Sequence, residues 1–254
     1  MLRSFAGGRL FGTTTGGAPP SVLALHGWRR THRDFDEVLA PAGGEALDAV
    51  ALDLPGCGAT PPPPTPWGSA DYADLVDAVL DEMATPVVVL GHSFGGRVAV
   101  HLAAAEPERV GALVLTGVPL VARADRRRPS ARYRAIRALN RAGVLSEARL
   151  ETARRRHGSP DYRAAEGVMR DVFVRLVGER YDAQLDVLAA RRLPVTLVWG
   201  DDDTEVPLSV GRAAAERLGG ADVVVCPGAG HLTPRTAPGP LRQAVVDRLA
   251  AVRR

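Results

Sequence analysis

The sequence contains no lysine: all 32 basic side chains are arginines, and 29 acidic residues leave a net charge of only +3. The arginine runs 126–128 and 154–156 are therefore interpreted as composition bias, because acidic residues are spread along the same chain. A nucleic-acid partner needs a strong positive field, which this balance does not provide. We predict no nucleic-acid partner, and leave open whether one arginine faces a pocket and pairs with a substrate carboxylate.

Cysteine and long apolar segments are equally scarce. Cys57 and Cys226 are the only cysteines and neither belongs to a paired-cysteine motif, so we predict no structural disulfide and no metal site. The sequence also lacks a phosphate-cradling glycine loop, so we predict no cofactor. Residues 1–20 include no long apolar stretch, which argues against a signal peptide or membrane span and favours the cytoplasm.

The most informative segment that is present is an apolar run followed by a serine between glycines. Residues 86–90 (PVVVL) lack alternation, which is typical of a strand buried on both faces of a parallel sheet. Residues 91–95 (GHSFG) follow, and residues 97–105 favour a helix. A serine on so sharp a turn needs small neighbours, so the segment predicts a nucleophile elbow that exposes Ser93 above the strand end.

A serine hydroxyl is a poor nucleophile until a base removes its proton, and that base needs an acid to orient it. His231 is the candidate base, since it lies in a glycine-containing loop just beyond the apolar run 223–226. The candidate acids follow another buried-strand pattern, residues 195–199 (VTLVW). These acids are Asp201, Asp202, Asp203 and Glu205, and the residues alone do not choose among them.

The chain order of serine, acid and histidine resembles that of the α/β-hydrolase family. In that family the acid lies three residues after the glycine that ends its strand, and a proline often follows four residues later. Gly200, Asp203 and Pro207 match this frame, so the resemblance implies Asp203 as the acid, with Asp202 as the fallback. Residues 228–231 (GAGH) match the family's histidine loop.

Two earlier segments carry the same resemblance. Residues 22–28 (VLALHGW) resemble the family's oxyanion loop, which implies that the backbone amides of Trp28 and Phe94 bind the oxyanion and that His26 is structural. Residues 53–60 (DLPGCGAT) resemble an architectural turn of the family, with Thr60 at a position usually held by serine. Asp53 is then expected to accept hydrogen bonds from loop amides.

Strand-like and helix-like runs alternate up to residue 116, stop, and resume at residue 195. This alternation predicts the α/β class, a mostly parallel central sheet flanked by helices. Residues 1–118 and 193–254 are expected to form the core domain, and residues 119–192 an inserted helical lid. Apolar stripes at helical spacing support both parts: Tyr72, Leu75, Val76, Val79, Leu80 and Met83; Leu241, Ala244, Val245, Leu249 and Val252; and, in the lid, Tyr162, Ala165, Val168, Met169, Val172, Phe173 and Leu176, then Leu185, Val187 and Leu188.

The resemblance implies a cofactor-independent serine hydrolase that cleaves a carboxylic ester or lactone of a small or medium substrate through an acyl-enzyme. The same triad also serves carbon–carbon, amide or thioester cleavage and acyl transfer, and the sequence does not separate these. A ligand-binding protein on a hydrolase scaffold is the third alternative. Family members that displace halide or open epoxides carry aspartate at the elbow, so Ser93 argues against both activities. The oligomeric state stays open.

Overall fold

The structure is a computed structural model that describes residues 1–17, 19–122, 136, 138–146, 148–150, 152 and 160–253. Both arginine runs, 126–128 and 154–156, lie outside the described residues. In the part of the chain that is described, no helix is long and apolar enough to span a bilayer.

Within the described residues the strands form one eight-stranded sheet, with spatial order β1-β2-β4-β3-β5-β6-β7-β8. Its strands are β1 (Leu2–Phe5), β2 (Leu10–Thr15), β3 (Val22–Leu25), β4 (Ala49–Asp53), β5 (Val87–His92), β6 (Val110–Thr116), β7 (Val195–Gly200) and β8 (Asp222–Cys226). The pairs β1–β2 and β2–β4 are antiparallel, and the pairs from β4 through β8 are parallel. The predicted mostly parallel α/β sheet is confirmed.

Helices of the described residues cover both faces of this sheet. They are α1 (Asp36–Leu39), α2 (Ser69–Asp77), α3 (Phe94–Ala105), α4 (Pro160–Ala164), α5 (Gly167–Val177), α6 (Asp182–Ala190), α7 (Leu208–Arg217), α8 (Thr233–Thr236) and α9 (Pro238–Val252), with 3-10 turns at His32–Phe35 and Leu80–Glu82. The helix predicted from the stripe 72–83 ends at Asp77 and continues as tighter turns, although all six apolar positions are buried. Such 3-10 turns commonly finish a helix.

The sheet separates two apolar clusters. Alternate residues of β5 point to opposite faces: Val87 and Val89 join one cluster, and Val88 and Leu90 join the other. The first cluster contains the apolar faces of α2, α3, α6 and α7, and the second contains those of α1 and α9. A strand buried on both faces must be apolar throughout, which explains the unbroken run before the serine.

The described residues between β6 and β7 include the helices α4, α5 and α6. Of the predicted stripe, Tyr162, Ala165, Val172 and Leu176 are buried, whereas Met169 and Phe173 are half-buried. In α6, Leu185 and Leu188 are buried beside α3, but Val187 is exposed. Packing therefore places α6 beside α3 in the helical layer on the sheet, and the buried Val172 and Leu176 of α5 belong to the same apolar cluster.

Candidate active site

The turn between β5 and α3 holds Ser93 in a strained conformation, with φ 50° and ψ −110°. Two close approaches make this turn possible. A Cβ at Gly91 would lie 2.5 Å from the Cα of Gly96, and a Cβ at Gly95 would lie 2.1 Å from the carbonyl oxygen of Leu25. Side chains do not fit at these distances, so both glycines are required where the elbow motif has them.

Backbone hydrogen bonds fix the elbow to neighbouring strands. The amide of Ser93 donates to the carbonyl of Thr116 at the end of β6, at 2.9 Å, and the amide of Gly95 donates to the carbonyl of His26 after β3, at 3.0 Å. The strained residue is thus held from both sides, which is how an unfavourable backbone conformation persists in a folded protein.

His231 connects Ser93 to Asp203. Its Nε2 lies 3.1 Å from the Oγ of Ser93, and its Nδ1 lies 2.8 Å from the Oδ2 of Asp203. A carboxylate only accepts, so Nδ1 carries the proton and the lone pair of Nε2 faces the serine hydroxyl. The structure brings the three residues together in the arrangement needed to activate a serine nucleophile.

Asp203 alone among the four candidate acids contacts Nδ1 of His231. Its side chain is fully buried, and its Oδ1 accepts from the amides of Glu205, at 2.9 Å, and Val206, at 2.8 Å. Asp202, the fallback, is exposed, and exposed Asp201 accepts from the amide of Gly228. Glu205 reaches the other side of the imidazole, with its carboxylate 3.7 Å from Nε2.

The two amides predicted to form the oxyanion hole belong to Trp28 and Phe94. No acceptor among the described residues takes a hydrogen bond from the amide of Trp28, and the amide of Phe94 is the first of α3, where a helix leaves its N–H groups unused. The rings of Trp28 and Phe94 meet edge to face with centroids 5.7 Å apart. Neither amide is therefore committed to an acceptor within the described residues, as the predicted role requires.

His26 and Asp53 hold the loops around the site. The Nδ1 of His26 lies 2.7 Å from the carbonyl of Gly27, and its Nε2 accepts from the amide of Leu54 at 3.0 Å. Asp53 accepts from the amides of His32 and Ala59, both at 2.9 Å. Burial acts to raise the pKa of Asp53, but the two amides and the His32 imidazole, whose Nδ1 lies 2.8 Å from Oδ1, outweigh it, so the pKa lies below its ordinary value.

Thr60 and Cys57 complete the turn after β4. The hydroxyl of Thr60 accepts from the amide of Phe11 at 3.0 Å, which ties the turn to β2. The thiol of Cys57 is buried, and burial raises its pKa to about 11. A thiol with so high a pKa is a poor nucleophile at neutral pH.

Sequence reasoning missed two residues that touch the triad. Gly117, at φ 61°, lies directly after β6, and a Cβ there would be 2.9 Å from Cε1 of His231. His92, within the elbow motif itself, places its Nε2 2.9 Å from the carbonyl oxygen of His231. The signal that could have indicated Gly117 is a glycine directly after a strand that neighbours the elbow. The contact of His92 with His231 joins residues 139 positions apart, so no local sequence pattern indicates it.

The buried histidines predict loss of stability in mild acid. Burial lowers the pKa of His26 to about 4, and burial together with nearby His231 lowers that of His92 to about 3. An unfolded histidine titrates near pH 6.5, so below this pH the unfolded chain binds more protons than the native one, and stability falls as pH drops toward 4. The free energy of unfolding, measured in urea, should decrease by about 3 kcal/mol between pH 7 and pH 5. Equal stability at both pH values would contradict neutral burial of the two rings.

A parallel sheet with a linked serine, histidine and buried aspartate beyond its strand ends defines a class of enzyme, the serine hydrolases built on a nucleophile elbow. The sequence model of the "Alpha/beta hydrolase family" matches residues 22–244. The chain belongs to this family.

Three relatives illustrate the similarity. A pimeloyl-[acyl-carrier protein] methyl ester esterase of Neisseria meningitidis is 30% identical over 239 residues, which cover 84% of this chain and 72% of that protein. Lipase LipV of Mycobacterium tuberculosis is 40% identical over 105 residues, but the match spans only 38% of this chain and 36% of LipV. The crystal structure of a hydrolase from Pseudomonas aeruginosa superposes with a TM-score of 0.70 at 25% identity, covering 98% of this chain and 97% of that one.

Proposed function

We propose that this protein hydrolyses a carboxylic ester or lactone of small or medium size through an acyl-enzyme on Ser93. The observation that carries the proposal is the hydrogen-bonded series from Ser93 Oγ to His231 and on to buried Asp203, at 3.1 and 2.8 Å. Esterases and a lipase among the relatives support an ester as the substrate. The cytoplasmic location, and the lack of nucleic-acid and membrane partners, stay predictions of the sequence.

In the proposed reaction, Oγ of Ser93 attacks the ester carbonyl while Nε2 of His231 takes its proton. The carbonyl oxygen becomes an oxyanion, which the amides of Trp28 and Phe94 stabilise. His231 then protonates the departing alcohol, and Asp203 holds the imidazole in the required tautomer and stabilises its charged form. Water attacks the acyl-enzyme, again assisted by His231, which releases the acid and restores Ser93.

We propose residues 119–192 as the lid, with α5 over the mouth of the site. The ring of Phe173 on α5 lies 5.3 Å from that of Trp28, whose amide belongs to the proposed oxyanion hole. On the same helix, Met169 packs so closely on Gly56 that a Cβ there would lie 2.3 Å from its sulfur. These apolar side chains form the proposed wall of the acyl pocket, and α6 anchors the segment against α3.

Replacing Phe173 with alanine should shift the preferred acyl chain of the substrate toward longer chains. Each further methylene of the acyl chain that is buried in the vacated space contributes ~0.8 kcal/mol of binding free energy. Where this energy is gained in the transition state, it raises kcat/KM about fourfold. The measurement is kcat/KM along a series of p-nitrophenyl esters. Val174→Ala on the exposed side of α5 is the control and should leave the profile unchanged. An unaltered profile in Phe173→Ala would place the acyl pocket elsewhere.

The proposed function is tested by the same ester series together with mass spectrometry after exposure to a phosphonate ester. Turnover and a phosphonyl adduct on Ser93 are the expected results. An adduct without turnover of any ester would favour carbon–carbon, amide or thioester cleavage by the same residues. Neither adduct nor turnover would favour the binding protein on a hydrolase scaffold.

A further inference from the structure

His92 precedes the nucleophile in the chain and contacts the backbone of the base, yet the reaction described above does not use it. Its side chain is fully buried, and its Nε2 lies 2.9 Å from the backbone carbonyl oxygen of His231. On the opposite side, a Cβ at Gly27 would lie 2.7 Å from its Nδ1, so the ring is confined from that side as well. Because His92 directly precedes Ser93, this contact joins the elbow to the loop that carries His231.

The contact fixes the protonation of the ring. A carbonyl oxygen only accepts hydrogen bonds, so Nε2 of His92 must carry the proton. The Nδ1 atom is buried and has no hydrogen-bond partner within the described part of the chain, and a neutral ring leaves it as a lone pair. The ring is therefore an uncharged Nε2–H donor, and burial keeps it so by lowering its pKa to about 3.

A neutral donor suits this position during turnover. The rings of His92 and His231 are 5.0 Å apart, and His231 becomes positively charged when it takes the serine proton. A second positive charge at this distance would oppose that step. A neutral imidazole holds the His231 backbone without that repulsion.

We propose that His92 is a positioning residue whose Nε2–H bond to the His231 carbonyl sets the distance between His231 Nε2 and Ser93 Oγ. The inference rests on the proposed function of Ser93 and His231. Loss of the bond would let the His231 loop move relative to the elbow, and displacement of a reacting group by about 1 Å can reduce the rate by about 10²-fold.

The test compares two replacements of His92. His92→Gln keeps an N–H donor near the position of Nε2, whereas His92→Leu fills similar space without one. His92→Leu should lower kcat, and the rate at which a fluorophosphonate labels Ser93, by about 10- to 100-fold with little change in KM. His92→Gln should restore most of both rates. His101→Gln, a half-buried histidine of α3 outside the site, is the matched control and should behave as wild type.

Two results would overturn the proposal. Labelling of His92→Leu at the wild-type rate would show that the bond does not position His231. Equal losses in His92→Leu and His92→Gln would show that the packing of the ring matters and its donor does not. These outcomes differ from failure of the proposed function, in which the wild-type enzyme itself would not be labelled.

A measurement on the unmodified protein keeps the proposal testable if His92→Leu does not fold. Proton and nitrogen NMR of protein with ¹⁵N-labelled histidine reports the tautomer of each ring. His92, assigned by the signal missing from His92→Gln, should be the Nε2–H tautomer and should not titrate between pH 7 and pH 5. An Nδ1–H tautomer, or titration in this range, would contradict the bond.

Discussion

Ser93→Ala should lower kcat/KM for any ester that the wild-type enzyme hydrolyses by about 10⁴- to 10⁶-fold. The alanine has no atom to attack the carbonyl, so the acyl-enzyme cannot form, and His231 and the two oxyanion amides alone provide only residual catalysis. The measurement is initial rates for wild type and variant at substrate concentrations well below KM, with mass spectrometry for the phosphonyl adduct. The adduct should be absent from the variant.

Folding of Ser93→Ala should be nearly unchanged. The side chain is only half-buried, and the variant loses a single hydrogen bond, to His231, worth about 1 kcal/mol. The melting temperature should therefore stay within a few degrees of the wild-type value. Ser209→Ala, on an exposed position of α7, is the matched control and should retain both turnover and adduct formation. If Ser93→Ala kept more than a few per cent of wild-type activity, another group would be the nucleophile.

The elbow could be predicted from the sequence because its physical constraints act between neighbouring residues. It needs a strand buried on both faces, two glycines and a following helix, all in one contiguous segment. The structure has each of these at the position that the motif predicts. The parallel sheet was also predictable, since its strands are unbroken apolar runs separated by helical patterns.

Contacts between distant segments were not predictable in this way. The His92 contact with the His231 loop and the Trp28 contact with Phe173 depend on how separate elements pack, and packing leaves no period in the sequence. Residues 182–190 are another case in which the position of an element could not be predicted from its sequence. Their pattern predicts a helix, but only packing shows that this helix, α6, lies against α3.

The acid was only partly predictable from the sequence. Four acids follow β7, and only the family resemblance favoured Asp203. Asp203→Asn should lower kcat by about 10³- to 10⁴-fold with little change in KM. The amide nitrogen of asparagine can donate to Nδ1, which favours the tautomer with the proton on Nε2, and such a ring cannot accept the serine proton. The imidazolium formed during attack would also lose its buried counter-charge.

Asp202→Asn is the matched control, since it makes the same change one residue earlier at an exposed position that does not contact His231. It should keep kcat within about twofold of wild type, as surface changes away from a site usually do little. The two variants together show which of the two aspartates orients His231. A large loss in Asp202→Asn with a nearly silent Asp203→Asn would move the acid by one residue, whereas losses in both would indicate that the loop conformation, and not one carboxylate, orients His231. Only a loss confined to Asp203→Asn supports the triad as proposed.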